Sequence, residues 1–465
     1  MIPVNEPLRV RVARLVGTTV FYSLLVLVAL VAIPYGTAEP WWKALFQCAV
    51  FILAGICIIE RLVSRAPTQL NLQLLLPILV LISLAFIQTL SWSNYSPAGV
   101  QNVSHTISAD PFQTRLFISQ LSALVLSGSL LVLYTTTRKR LRLLIELIIA
   151  IGVMSAVFGL LRRALQHEVG FGLPYLQPGY GYGQFINQNH FEFLMEMALG
   201  LALGIAVSRG LSKSRLVLYL LAAIPMLAAL ILVNSRGALL SILCQVLFLA
   251  FLASSKWSFR RRAPAQNSPT RFQTPKALAI RVLLIIALLA GAITTIILFG
   301  GEPLARKLDL TKVELNQKTA DVYVLRLNIW QATLNMIKDR PISGVGFGAY
   351  WIAITRYHHA SGDITPQDAH NDYLELLASG GLIGLAIGVW FIVAFFRAAR
   401  RKIRRADPYG RAVSLGAVTG IITVAVHSLV ESGLHITINA LIFTTLVSFV
   451  VMNVREGLSE IDAQV

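Results

Sequence analysis

Charge is scarce in this chain. Only 13% of its 465 residues are charged, against 56% hydrophobic, and the mean hydropathy is +0.69. Soluble domains carry roughly 25% charged residues, so a string of water-dissolved domains is excluded. Acid is scarcer still: 22 Asp and Glu stand against 40 Lys and Arg, a net charge of +18. In a soluble protein that excess would suggest nucleic acid. In a chain this apolar it fits the basic cytoplasmic loops of a membrane protein, and no nucleic-acid partner is expected. The three cysteines, Cys48, Cys57 and Cys244, all lie inside apolar runs. That excludes a disulfide framework or a metal-ligand spacing and reads as small core residues. Also missing are a P-loop, an Asp-X-Asp pair for a metal-bound sugar nucleotide and a His-Glu-X-X-His element. Chemistry without these needs a substrate that arrives activated, so neither cofactor nor metal is expected.

Apolar runs dominate what remains. About twelve are long enough to cross a bilayer, at approximately 15–34, 43–60, 73–90, 115–136, 143–161, 190–208, 216–233, 237–255, 278–299, 374–396, 412–430 and 436–454. Arg9, Arg11 and Arg14 precede the first, and no small-residue cleavage site follows it, so it reads as a retained helix. With the N-terminus inside, cytoplasmic segments carry about 26 Lys and Arg and the opposite side about 13, of which about eight fall in one long loop. The dense cytoplasmic clusters are Arg138–Arg140, Arg260–Arg262 and Arg400–Arg405, and Arg281 lies within a span. Both termini are therefore expected in the cytoplasm. The outward loops are 91–113, 163–187 and about 301–370, Ala263–Pro275 reads as a flexible cytoplasmic linker, and no internal repeat is present.

The largest loop has its own pattern. Val322, Leu325, Ile329, Trp330, Leu334 and Ile337 approximate helical spacing, which predicts an amphipathic helix over about 318–339. Pro341, Gly344, Gly346 and Gly348 then mark a tight turn; no strand precedes them, so they are not a dinucleotide loop.

Ionisable groups at a membrane are costly and therefore candidates for function. Arg236 stands in the short outward turn Asn234-Ser235-Arg236-Gly237, where Gly237 would let a bulky group approach the backbone. It reads either as a snorkelling interface residue or as a functional cation. Arg326 lies on the loop helix among apolar positions, and two converging guanidinium forks would suit a diphosphate. His370, in Ala369-His370-Asn371-Asp372-Tyr373, re-enters the membrane where a neutral imidazole could take a proton from a hydroxyl. Asp368 or Asp372 could orient it. Asn187, Asn189 and His190 open the sixth span and either cap it or bind sugar hydroxyls. His427, Glu431 and His435 recur every four residues, as a packed polar network or a metal-like face on one helix.

Taken together these residues resemble the O-antigen ligase and polymerase superfamily of bacterial envelope glycosyltransferases. Arg236 with Leu240 matches its Arg-X-X-X-Leu element. His370 and Gly381 match its His, ten residues, Gly element, continuing as Gly381-Leu382-Ile383-Gly384. Arg326 with Trp330 occupies its second arginine region, ahead of the turn at 341–348, and Gly183–His190 is similar to a further family segment. The chain departs from many members in having Ser379 where they carry an acidic residue.

The resemblance implies an all-α polytopic membrane protein of the lipid-linked glycosyltransferase (GT-C-like) type, in the bacterial inner membrane. One integrated membrane domain would comprise helices one to nine over 1–299, a periplasmic catalytic loop over 300–371, and helices ten to twelve over 372–465. The donor would be a glycan on undecaprenyl diphosphate and the acceptor a sugar of lipid A–core. His370 would act as base, Arg236 and Arg326 would stabilise the departing lipid diphosphate, and Asn187, Asn189, His190, Asp372 and Gly381 would line the substrate site. A polymerase of the same superfamily is the alternative, and a multi-pass transporter or flippase a more distant one.

Overall fold

The computed structural model describes residues 8–65, 70–93, 105–165, 176, 181–208, 213–233, 235–254, 326–358 and 365–454. The expected span 278–299 with Arg281, the Ala263–Pro275 linker, the Arg260–Arg262 cluster, Asn234, residues 301–325 and parts of the other two outward loops lie outside these.

Helices α1 (Leu8–Gly36), α2 (Pro40–Ser64), α3 (Leu72–Gln88), α4 (Pro111–Tyr134), α5 (Arg138–Ala164), α6 (Gln188–Val207), α7 (Lys213–Val233) and α8 (Arg236–Ser254) come first in the chain. Next are α9 (Arg326–Asp339), the short α10 (Tyr350–Ala353), α11 (Asp372–Arg405), α12 (Pro408–His427) and α13 (Thr437–Phe449). A two-stranded antiparallel ribbon, Ser91–Ser93 with His105–Thr106, is the one departure from helix in the described sheets and helices. Eight helices are long and apolar enough to cross a membrane, and α3, α8 and α13 are shorter apolar helices. Each apolar run predicted within the described residues falls mainly on helix, and the protein is an all-α, multi-pass membrane protein. On α2, Ile52, Ile58, Ile59 and Leu62 are 62–74% exposed. Such a face would be a liability in water, whereas lipid tails are as apolar as leucine.

Starts are set by local chemistry. Asp110 accepts from the Phe112 and Gln113 amides at 2.9 and 3.1 Å, with Pro111 at the first helical position. Asn71 accepts from Gln73 in the same way, and Asn187 from Asn189 at 2.9 Å. Asn187 therefore caps α6, the first of its two sequence readings.

The chain divides into two compact units. One comprises Ile145–Leu310 and Ala399–His427. Within it α6 is enclosed on all sides, with every residue from Phe191 to Ala206 buried. It crosses α12 at glycines: a Cβ on Gly200 would come within 2.6 Å of Gly420 Cα, and one on Gly204 within 2.5 Å of Gly416 Cα. Small residues let helix backbones touch where lipid offers no hydrophobic drive to associate.

The other unit comprises Met1–Leu144, Thr311–Ala398 and Ser428–Val465. Here the predicted continuous span 374–396 is corrected: α11 is broken at Gly381, whose φ of +61° and ψ of −164° are not helical. The break leaves carbonyls without helical partners, and the glycine turn of 341–348 supplies them. Val345 and Gly346 amides donate to Ala378 and Ser379 at 2.9 and 3.0 Å, while the Leu382 amide donates back to Pro341 at 2.8 Å. Gln88 completes the clamp, its amide donating to Ser343 and Ser379 at 2.8 and 2.9 Å and its oxygen accepting from Phe347 at 3.2 Å. A Cβ on Gly381 would lie 2.1 Å from the Ile342 oxygen, so the backbones touch there.

Three further expectations change. The described part of the loop helix, α9, buries Ile329 as predicted and packs Ile337 against its core, but Leu334 is 46% exposed while Ala332, Thr333 and Met336 are buried instead. The predicted 412–430 helix stops at His427 and turns, so His427, Glu431 and His435 do not share a helix face. Cys57 is buried as expected, but Cys48 is exposed.

Candidate active site

The segment Asp368–Asp372 is held from two sides. Trp330 of α9 donates its indole N–H to the Ala369 carbonyl at 2.9 Å, and the Ala369 amide donates to Glu375 at 3.0 Å. Asn371 caps α11, accepting from Tyr373 and Leu374 at 3.0 Å, and its amide reaches the Leu429 carbonyl at 2.8 Å. Ser428 accepts from the Asp372 amide at 3.0 Å and donates its hydroxyl to the Asp372 carboxylate at 2.6 Å. These bonds fix His370 between them with φ +48°, in the left-handed region that costs a non-glycine residue on the order of 1 kcal/mol. Its amide donates to Asp368 Oδ1 at 3.1 Å.

The ring of His370 meets two carboxylates through one nitrogen. Nδ1 lies 2.5 Å from Glu431 Oε1 and 3.3 Å from Asp368 Oδ1. Glu431 is 2% exposed, and its other oxygen accepts from Arg326, whose second guanidinium nitrogen donates to the Val430 carbonyl at 2.7 Å. The Ser432 amide also donates to Glu431, at 3.2 Å. Burial would lower the His370 pKa, but the Glu431 hydrogen bond and the Asp368 charge outweigh it and hold it above the usual imidazole value. Burial would raise Glu431; the bond from His370 and the Arg326 cation bring it down to about 2. With Nδ1 facing two carboxylates, the neutral ring is expected to carry its proton on Nδ1. Nε2 makes no hydrogen bond among the described residues, on a side chain 31% exposed.

This arrangement alters the sequence reading of the site. Both candidate partners of His370 were aspartates, and Asp368 does contact it, whereas Asp372 is turned to Ser428. The stronger partner is Glu431, which the four-residue spacing would put on a helix face with His427 and His435. Arg326 does reach the site, but two of its nitrogens are spent on residues 430 and 431. Asp368, His370 and Glu431 each offer an atom within 4.8 Å of the others, and the guanidinium on Glu431 already supplies a positive charge there. Gly381 meets backbone and not an open space.

Within the same unit lies a cavity of about 790 Å³. Asp372, Glu375, His435 and Lys43 contribute polar groups to its wall, and side chains such as Leu74 and Phe117 make it mainly apolar.

In the other unit, Arg236 is exposed and is the first residue of α8, after Ser235, whose hydroxyl accepts from the Ala238 amide at 3.4 Å. The bulky group beside Gly237 is His427: a Cβ there would sit 2.4 Å from its Nε2. His427 Nδ1 is 2.7 Å from Glu196 and Nε2 3.5 Å from Glu192, all three fully buried, with the ring stacked on Phe193. The sequence reading passed over these two glutamates, although two acids four residues apart in an apolar span were a visible signal. Asn189 and His190 stand in the first turn of α6.

Helices and site together define a multi-pass membrane protein with an ion-paired histidine centre. Residues 221–389 match the family model described as O-antigen ligase. The superfamily resemblance holds over this stretch, which contains Arg236, Arg326, His370, Asp372 and Gly381 and ends before Glu431. No curated protein matches the chain.

Proposed function

We propose that the protein transfers a glycan from undecaprenyl diphosphate to a sugar hydroxyl, with lipid A–core as the acceptor, on the periplasmic face of the bacterial inner membrane. The observation that carries this reading is His370, with Nδ1 held by carboxylates and Nε2 open. Nε2 takes the proton of the acceptor hydroxyl as that oxygen attacks the anomeric carbon with inversion. The bond from that carbon to the diphosphate breaks, and the electron pair leaves on the lipid diphosphate. By its Arg-X-X-X-Leu match, Arg236 is the candidate for countering that developing charge, a role a fixed cation can fill in place of a metal. The mainly apolar cavity suits a lipid chain, and Asn189 and His190 remain candidates for sugar hydroxyls. The basic clusters favour cytoplasmic termini.

The test uses purified protein in lipid with an undecaprenyl-diphosphate glycan, with and without lipid A–core. Product on lipid A–core that disappears in His370→Ala is the expected result. Longer glycan formed without that acceptor would instead establish a polymerase.

A further inference from the structure

We infer that Glu431 is a positioning residue for His370, and that Arg326 acts through Glu431 and not on the leaving diphosphate. This rests on the reading of His370 as base. The geometry carries it: Glu431 is the best-buried member of the centre, 2.5 Å from Nδ1, and it meets Arg326 through its other oxygen. A carboxylate on Nδ1 selects the tautomer whose Nε2 lone pair is free, fixes the ring plane, and stabilises the imidazolium that forms. A base held through Nε2, or free to rotate, would lack all three.

Arg326 is suited to a support role by where its fork points. One nitrogen holds the Val430 carbonyl and another the Glu431 carboxylate, so a single side chain fixes both the backbone and the acid of the orienting residue. It also neutralises Glu431, which would otherwise be a second buried carboxylate beside Asp368 on the same His370 nitrogen. As a proton reaches Nε2, the positive ring faces Glu431 and Asp368; Arg326 opposes that charge from beyond Glu431. His435 also contributes an electrostatic interaction with His370, and Glu375 accepts from the adjacent Ala369 amide. Glu431 lies beyond the stretch that matches the family model, so its role comes from the tertiary contact.

The experiment takes the full chain in lipid nanodiscs, labelled with 15N-histidine, the His370 resonance being identified by its loss in His370→Gln. In the unaltered protein His370 should show Nδ1 protonated when neutral. Glu431→Gln should lower its pKa by about one unit or more, the size expected on losing an adjacent opposite charge. It should lower kcat about 100-fold or more while changing donor KM by less than about threefold, in keeping with losing an orienting acid. Glu431→Asp keeps the charge at a shorter reach; it should keep much of the pKa and recover part of kcat, and it stands in should the glutamine variant fail to fold. Arg326→Met on top of Glu431→Gln should add little, since residues acting as a unit are not additive. An unchanged His370 pKa and tautomer in Glu431→Gln would overturn the positioning role. Multiplicative loss in the double variant with a raised donor KM would return Arg326 to the diphosphate. Full transfer by His370→Gln would sink the base assignment itself, and the NMR titration would still report whether Glu431 holds the ring.

Discussion

His370 Nδ1 lies 2.5 Å from an oxygen of Glu431, 61 residues further along the chain. The contact joins the last residues before one membrane helix to the turn between two others, and it engages Nδ1 while Nε2 makes no hydrogen bond among the described residues. Asp368, two residues from His370, is farther from the ring at 3.3 Å.

Removing the imidazole should separate chemistry from binding. His370→Ala is expected to lose transfer while the donor still binds, because among the described residues the ring hydrogen-bonds through Nδ1 only. A binding assay with the undecaprenyl-diphosphate glycan measures this; loss of binding together with transfer would make His370 a positioning group.

Arg236 should tolerate no substitute. Arg236→Ala is expected to abolish most transfer, and Arg236→Lys to restore little of it, because an ammonium lacks the fork that fits two phosphate oxygens. Normal rates in the lysine variant would argue against a forked contact.

The pH dependence follows from the two shifted groups. His370 must be neutral to act as base, and its pKa is held above the ordinary value of about 6.5. The kcat/KM profile should therefore fall on the acid side with a limb above that value. Stability moves in linked ways. His370 contributes fully below its unfolded pKa, and the contribution disappears as pH rises through the folded one. Glu431 contributes above its unfolded pKa, and loses this as pH falls toward about 2. Unfolding midpoints measured from neutral to acid pH would test the second statement, and no dependence on Glu431→Gln would refute it.

Gly381→Ala should damage the fold more than a typical surface change. The new methyl would lie 2.1 Å from the Ile342 oxygen, at a residue with φ +61°. A loss of about 2 kcal/mol or more is expected from strain and forced separation of the backbones. Thermal unfolding in detergent would reveal it; an unchanged midpoint would mean the 341–348 turn moves aside freely.

Chelation should leave transfer intact, since Arg326 supplies positive charge at the histidine centre. Activity lost to a chelator and recovered with a divalent ion would instead direct attention to Asp368, His370 and Glu431 as a donor set.

Much of the architecture could be read from the chain in order. Apolar runs locate helices because a backbone in lipid must satisfy its own hydrogen bonds, and every such run within the described residues falls mainly on helix. Arg236, Arg326 and His370 stood out as candidates through charge at a membrane and short motifs, and the structure brings Arg326 and His370 together on Glu431. The break in α11 was less so. Gly381 stood in a recognisable element, but one glycine does not reveal which backbone will press against it.

What the sequence by itself determined was therefore local: which segments are apolar enough to span, where caps start them, and which residues could carry a proton or a charge. Only the tertiary structure decided the partners. It ended a helix at His427, so that an apparent His427, Glu431, His435 face was divided, Glu431 going to His370 and His427 to Glu192 and Glu196. It turned Arg326 onto Glu431. Periodicity reports a residue's neighbours along one helix, whereas the tautomer of His370 depends on a carboxylate delivered by a distant turn, and no spacing in the chain encodes that approach.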